Sequence, residues 1–190
     1  VVDAYRRIRN TLRFLLANTS DFDIDRDAVA LPDLLELDRY ALSRAAQLQV
    51  EIVGLFNPQT GLFEGGHFGR YEFHPVVSKL QIFCSEDLGA FYLDILKDRL
   101  YTTAPKSLAR RSAQTALWQI THAMLRWMAP FLSFTAEEAW QVFKGPNNPS
   151  VSLFTETYWD FHEADKDTEL LAKWSRIRAL REEANRRIED

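Results

Sequence analysis

Few side chains in this sequence stand at spacings that support bond chemistry. The four histidines are scattered, and neither His74 nor His122 has a serine, a cysteine or a metal-ligand partner at a telling distance along the chain, which argues against a hydrolase. Glu64 and His67 have the Glu-x-x-His spacing of some metal sites, but Gly65 and Gly66 between them oppose a helix and no second pair matches. Asp21, Asp23 and Asp25 alternate as in the opening of a calcium loop, yet the sixth position is Arg26 where glycine is needed and the twelfth is Pro32 where a bidentate glutamate is needed. No catalytic residue and no metal ligand is therefore assigned.

What does recur at a usable spacing is arginine. In the amphipathic helix read over Val2–Asn18, Tyr5, Ile8, Leu12, Leu15 and Leu16 fall in one arc, and Arg6, Arg9 and Arg13 fall together beside it. Such a row is either a solvated rim whose stems cover the core edge or a phosphate-binding ridge. Arg110 and Arg111 sit near the start of a long helix read over Ser107–Ala129, where the helix dipole opposes them, so helix stability does not explain the pair. On the last helix Arg178 lies just outside the apolar stripe and Arg181 within it, so both project to the same general side. A guanidinium on an inner face requires a carboxylate such as Glu182 or Glu138, a backbone acceptor or a phosphate. These seven arginines are the candidate phosphate contacts.

The elements that must position them are mostly helical. The most apolar stretch, Glu72–Tyr101, carries Phe73, Val76, Val77, Leu80, Phe83 and Cys84 as one stripe. Ser85 is expected to cap a second helical segment with Leu88, Phe91, Tyr92 and Ile95 on one side and Leu93, Leu96 and Leu100 on the other, so that segment is central. Pro32 and Asp33 are expected to start a long helix, and Asn57–Gly69 reads as a loop or hairpin between helices. Pro130 ends or kinks a helix, and Thr135-x-x-Glu138 reads as the capping box of the next. After the break GPNNPS, VSLFTETYWDF reads as extended, and Asp167 or Thr168 caps a final helix with Leu170, Trp174, Ile177, Ala184 and Ile188 as its stripe. The expected core includes Leu80, Phe83, Phe91, Ile95, Leu117 and Trp127.

Composition agrees with one folded domain: 190 residues, 46% hydrophobic, with five Trp and thirteen Phe. No apolar run approaches the roughly 18 residues that cross a bilayer. A single cysteine excludes an internal disulfide and a Cys-x-x-Cys metal pair, as suits a reducing cytosol. A net charge of -4 argues against indiscriminate nucleic-acid binding, so any RNA site is a local patch. The chain starts at Val1 and ends at Asp190 inside a charged helical pattern, and the expectation is a piece of something longer.

Four blocks carry a resemblance: YRRIRNTLRFLLAN (Tyr5–Asn18), YEFHPVV (Tyr71–Val77), DLGAFYLDILKDRLY (Asp87–Tyr101) and APFLSFTAEEAW (Ala129–Trp140). In order and spacing, over nearly the whole chain, they resemble the anticodon-binding domain of the isoleucyl-tRNA synthetase family. The last block alone fits the wider group with the valine and leucine enzymes, whereas RIRNTLRF with FYLDILKDRLY points to the isoleucine member. The resemblance implies an all-α fold, an antiparallel helix bundle of the class I aminoacyl-tRNA synthetase anticodon-binding type, with a short extended segment before the last helix. It implies residues 1–145 as the bundle, and 146–190 as a linker and C-terminal helix of the same domain leading to downstream elements. It further implies tRNA-Ile as partner, together with the catalytic and editing domains of the same chain. A monomeric cytoplasmic ligase is implied, needing ATP and magnesium, and zinc, outside this piece. The His-Ile-Gly-His and Lys-Met-Ser-Lys-Ser signatures, the editing domain and the terminal zinc cysteines are absent, so the piece does not aminoacylate alone. The loop over 57–69 is longer than the family's usual connection, and no role passes to it. A helical module that binds protein and not RNA is the competing reading.

Overall fold

The computed structural model describes residues 2–145, 151–161, 164 and 167–189. Its helices are α1 (Val2–Asn18), the short α2 (Ile24–Asp27), α3 (Glu36–Ile52), α4 (Phe73–Ile82), α5 (Asp94–Thr102), α6 (Leu108–Met128), α7 (Ser133–Lys144) and α8 (Thr168–Glu189). A π-helical segment, Phe83–Leu93, joins α4 to α5 without a break. Strands β1 (Gly54–Asn57) and β2 (Leu62–Gly65) form an antiparallel hairpin with Gly54 opposite Gly65. Among the described residues the chain is thus all-α apart from that hairpin.

Long-range hydrogen bonds fix the directions of the four long elements. The α1 start meets the residues after α6, through Tyr5 and Thr135 hydroxyls 3.5 Å apart, and its end meets the α6 start, where Gln114 Nε2 donates to the Asn18 carbonyl. Lys79 reaches Glu51 at 2.5 Å and Arg99 reaches Asp38 at 2.8 Å, so the 73–102 helix runs against α3. The Leu35 amide donates to Ser112 Oγ and Trp127 Nε1 donates to Gln49 Oε1, so α3 runs with α6. In chain order the four therefore alternate up and down, and each buries its stripe against the others. Ile8, Leu12 and Leu15 of α1 meet Val76, Leu80 and Phe83 of the central helix and Leu117, Ile120 and Trp127 of α6 in one core.

The central helix departs from expectation in an informative way. Ser85 caps nothing: its hydroxyl donates to the Ile82 carbonyl, and Ile82 and Phe83 are already helical. The wider turn of a π-helix adds nearly one residue per turn. The inward positions become Phe83, Cys84, Asp87, Leu88, Phe91, Tyr92 and Leu93, and the phase advances so that Leu96 and Leu100, not Ile95, face the core afterwards. Ile95 is 41% exposed, which corrects its place in the expected core, whereas the other five residues named there are buried.

Other starts and ends shift for local reasons. Leu31–Asp33 form only a 3-10 turn, and Leu34 and Leu35 are extended before α3 begins at Glu36, beyond the start expected at Pro32 and Asp33. α7 begins at Ser133, so Thr135 lies inside it, and no side chain caps its first turn. Asp167 does cap α8, its Oδ1 accepting from the Leu170 amide at 3.2 Å. Along α8, Leu170 and Leu171 are buried, but Ile177, Ala184 and Ile188 are exposed, so only the first half of the expected stripe packs. At the hairpin base Gly54 has φ of 105°, and a Cβ there would lie 2.1 Å from the Glu64 carbonyl oxygen, so only glycine closes it. The expected break at GPNNPS lies, from residue 146 on, outside the described residues.

Two polar networks hold the packing. Asp38 is fully buried and accepts from Tyr92 Oη (2.7 Å), Arg99 Nη1 (2.9 Å) and Ser112 Oγ (2.5 Å), tying α3 to the π segment, α5 and α6. In the second, Arg126 of α6 donates to the Thr157 carbonyl (2.6 Å), Glu156 (2.7 Å) and His122 Nδ1 (2.8 Å), strapping down the 151–161 segment, which is expected to be extended but forms a 3-10 turn at Leu153–Thr155. His122 stacks on Trp159 at 4.3 Å, and burial together with the neighbouring Arg126 lowers its pKa to about 3.

Asp38→Ala strands the half-buried Arg99 guanidinium and the buried hydroxyls of Tyr92 and Ser112, and is expected to lower unfolding stability by about 3 to 5 kcal/mol in urea melts, against under about 1 kcal/mol for Ile95→Ala. His122 gives a pH dependence of defined sign. Between its unfolded value of about 6.5 and its folded value of about 3, only the unfolded chain takes up the proton, so stability falls as pH falls. Relative to His122→Gln, the wild-type chain should lose up to about 1.4 kcal/mol per pH unit through that window.

Candidate nucleic-acid interface

An arginine available to RNA must be exposed and free of an internal carboxylate, and by that measure the seven candidates separate. Arg6, Arg9 and Arg13 are exposed on the flank of α1, and among the described residues none is in an ion pair or hydrogen bond. Arg7, which the stripe analysis passed over, is equally exposed and equally unpaired among those residues. Its signal was the charge itself: α1 holds four arginines against Asp3 alone, in a chain whose overall charge is -4. Arg6 and Arg7 lie in the second turn, near the positive end of the helix dipole, where cations oppose helix formation. Their placement serves something outside the helix.

Arg110 and Arg111 have a different occupation. Arg110 bonds to Asp21 at 3.2 Å and to the Leu100 carbonyl. Arg111 is buried, 3.3 Å from Asp27 and 2.7 Å from Gln114 Oε1. The aspartate loop that mimics a calcium site is thus the counter-charge of the arginine pair at the α6 start. A hydrogen bond from Arg26, with Arg111 close by, holds the Asp27 carboxyl at a pKa of about 2, so it is ionised at every physiological pH.

Arg178 and Arg181 dock α8 onto the bundle. Arg178 donates to Asp87 and to Tyr40 Oη (3.1 Å) with its guanidinium 5.0 Å from the Phe91 ring centre. The Asp87 and Tyr40 hydrogen bonds outweigh burial and raise its pKa. Arg181 reaches the Ala90 carbonyl (3.2 Å) and Asp94 (3.4 Å). The expected partners Glu182 and Glu138 are replaced by Asp94, because α8 crosses the π segment. The burial order is also the reverse of expectation, Arg178 being the more enclosed of the two. The Asn57–Gly69 stretch brings no metal set together: Glu64 accepts from Asn57 and Thr60, while His67 turns to Glu72 at 2.6 Å. Among the described residues no three His, Cys, Asp or Glu side chains gather to hold a metal ion.

A family profile described as the anticodon-binding domain of tRNA ligase matches residues 65–189. The chain belongs to that family. Its curated relatives include isoleucine–tRNA ligases from Cupriavidus taiwanensis (57% identical over 189 residues), Bordetella bronchiseptica (56% over 196) and Paraburkholderia phymatum (55% over 190). Each alignment covers all of this chain but only 18 or 19% of the relative. The chain therefore spans about a fifth of the length of the ligases it matches. The profile covers the central helix, α6, α7 and α8, while the alignments with whole ligases also take in α1 and its arginines. In this anticodon-binding domain, then, the two arginine pairs on α6 and α8 are tied into the fold, and the α1 row has no partner among the described residues.

That division predicts opposite stabilities. Arg111→Ala should destabilise the domain by at least about 2 kcal/mol, because it leaves Asp27 without its buried partner, whereas Arg9→Ala should fall within about 0.5 kcal/mol of wild type in the same melts.

Proposed function

We propose that this domain binds tRNA-Ile for an isoleucine–tRNA ligase and that α1 is the helix laid against the RNA. The carrying observation is the unpaired arginine row, the one run of positive charge in this acidic chain whose members are not spoken for among the described residues. Arg6, Arg9 and Arg13 recur at intervals of three and four residues, so they rise along one flank over roughly 10 Å. Guanidinium suits the task because it grips a phosphate with two parallel bonds and stacks on an unpaired base. The bundle beneath α1 contributes shape, which lets backbone contacts fix orientation while the free bases are read.

In the parent enzyme, isoleucine would be activated with ATP and magnesium and joined to the tRNA end at a site outside these residues, with any zinc held elsewhere as well. A monomeric enzyme acting in the cytoplasm goes with the ligase reading; separately, no helix among the described residues is long and apolar enough to cross a membrane.

The test is a titration of tRNA-Ile at several salt concentrations. Three single-strand phosphate contacts give a slope of about -2 in log affinity against log salt. Replacing Arg6, Arg9 and Arg13 by alanine should weaken binding at least about tenfold and flatten the slope by about two units, with Arg178→Ala leaving the slope unchanged. A triple variant that binds as wild type, or binding that ignores salt, would favour a module whose partner is protein.

A further inference from the structure

The hairpin takes no part in the arginine row, yet the fold builds a cleft against it. The cleft measures about 940 Å³, within the range of small-molecule sites, and its walls draw on the ends of α3 and α6, the hairpin with Phe68, and the 151–161 segment. Those walls are fixed to one another. Gln49 Nε2 of α3 donates to the Trp159 carbonyl at 2.6 Å, and Phe63 of β2 meets Tyr158 edge to face with ring centres 5.6 Å apart. Phe68 lies nearly parallel to Tyr158 at 6.2 Å and Phe56 packs on Phe63 at 5.3 Å, so aromatic rings line the cleft from the hairpin side and from the segment side.

The charges in the walls have the sign that complements a cation. The charged side chains of the lining are Arg126, Glu156 and Asp160, one guanidinium against two carboxylates. Arg126 is already engaged, with Glu156 at 2.7 Å and with the Trp159 ring, whose centre is 5.6 Å from the guanidinium carbon. One ring of the cleft thus holds a cation of the chain itself, while among the described residues no lysine or arginine stands over Phe56, Phe63, Phe68 or Tyr158. Negative ring faces and a net negative lining repel a phosphate, which sets this cleft apart from RNA binding. A neutral apolar guest would cover the rings but strip water from Glu156 and Asp160 with nothing to replace it. A cation with an apolar body satisfies both.

We propose that the hairpin cleft binds a small organic cation, an ammonium group carrying an apolar or aromatic body, with the charge seated against the rings of Phe63, Phe68 and Tyr158. The ring quadrupoles attract the ammonium, Glu156 and Asp160 balance its charge, and Val50, Val53 and Leu153 receive the apolar body. The site is independent of the α1 arginines.

The experiment uses the full-length ligase carrying this domain, with benzyltrimethylammonium as probe and its neutral near-isostere dimethylbenzylcarbinol as control, each titrated by saturation-transfer NMR. The ammonium should bind at least about tenfold more tightly than the carbinol, the ratio that a desolvated cation over aromatic faces supplies. Leucine keeps apolar volume but removes the ring face, so Phe63→Leu and Tyr158→Leu should each weaken the ammonium at least about threefold while the carbinol stays within about twofold. Phe63 stands on the hairpin, so its variant carries the test even where Tyr158→Leu disturbs the 151–161 segment. Equal binding of the two probes overturns the proposal in favour of an unselective apolar cleft. An ammonium that never saturates overturns it too, as when another part of the ligase fills the cleft. Binding that both variants keep at wild-type strength places the probe elsewhere and overturns it as well. The tRNA salt titration is run without either probe, so the two readings fail separately.

Discussion

Asp38 is a carboxylate with no exposure, and the arrangement of the other helices follows from how it is satisfied. Burial pushes its pKa above the usual carboxylate range, while Arg99, Ser112 and Tyr92 pull it back. An apolar cluster of the same volume could hold three helices together as well or better, so net stability is not what this group adds. Its effect is register. A shift of α3 by one turn would carry Asp38 past Ser112 and Arg99 together and leave three buried polar groups unmatched. With that register set, Arg44 of α3 stands 3.3 Å from Asp87, and Asp87 in turn receives Arg178. The seat of α8 is thus a consequence of where α3 stops sliding.

The π segment works in the same direction. A regular helix from Phe73 to Thr102 would drift its apolar stripe away from α3 before reaching Tyr92. The wider turns bring Asp87 and Tyr92 to the inner side together, one for Arg178 and one for Asp38. Gly89 sits in the middle, where a Cβ would already approach the Cys84 carbonyl oxygen to 3.0 Å, a spacing that comes from the widened turn. Cys84 itself is sealed in, its thiol pushed up to about 12 by burial, so it packs as a small apolar group.

What could be read in the sequence followed from local periodicity. The α1 stripe, the Asp167 cap, the breaks near Pro130 and the buried faces of α4 and α6 all depend on residues within a turn or two of each other. Ile95 was misplaced because a period of 3.6 was carried through eleven residues that do not obey it. The candidate site was legible only in part for a different reason. All seven arginines were visible, but whether a guanidinium is free depends on carboxylates brought from far along the chain. Asp21 and Arg110 are 89 residues apart, and Asp87 and Arg178 are 91 apart. The aspartate loop and the basic pair each looked anomalous alone, and each is the explanation of the other.

On the proposed reading, in which a net negative domain binds RNA through one positive helix, the distribution of charge has a directional consequence. At physiological salt the screening length is about 8 Å, so a phosphate chain senses mostly the charge within one helix diameter. Away from α1 it meets carboxylates, arginines already neutralised by Asp21, Asp27, Asp87 and Asp94, and only isolated exposed cations such as Lys106 and Arg176. Along α1 it meets cations held by a helix whose inner face, Ile8, Leu12 and Leu15, is locked into the common core. Attraction in one place and repulsion elsewhere turn a weak, sequence-blind force into an orienting one, and orientation is what a module that performs no bond chemistry can contribute to a reaction completed elsewhere.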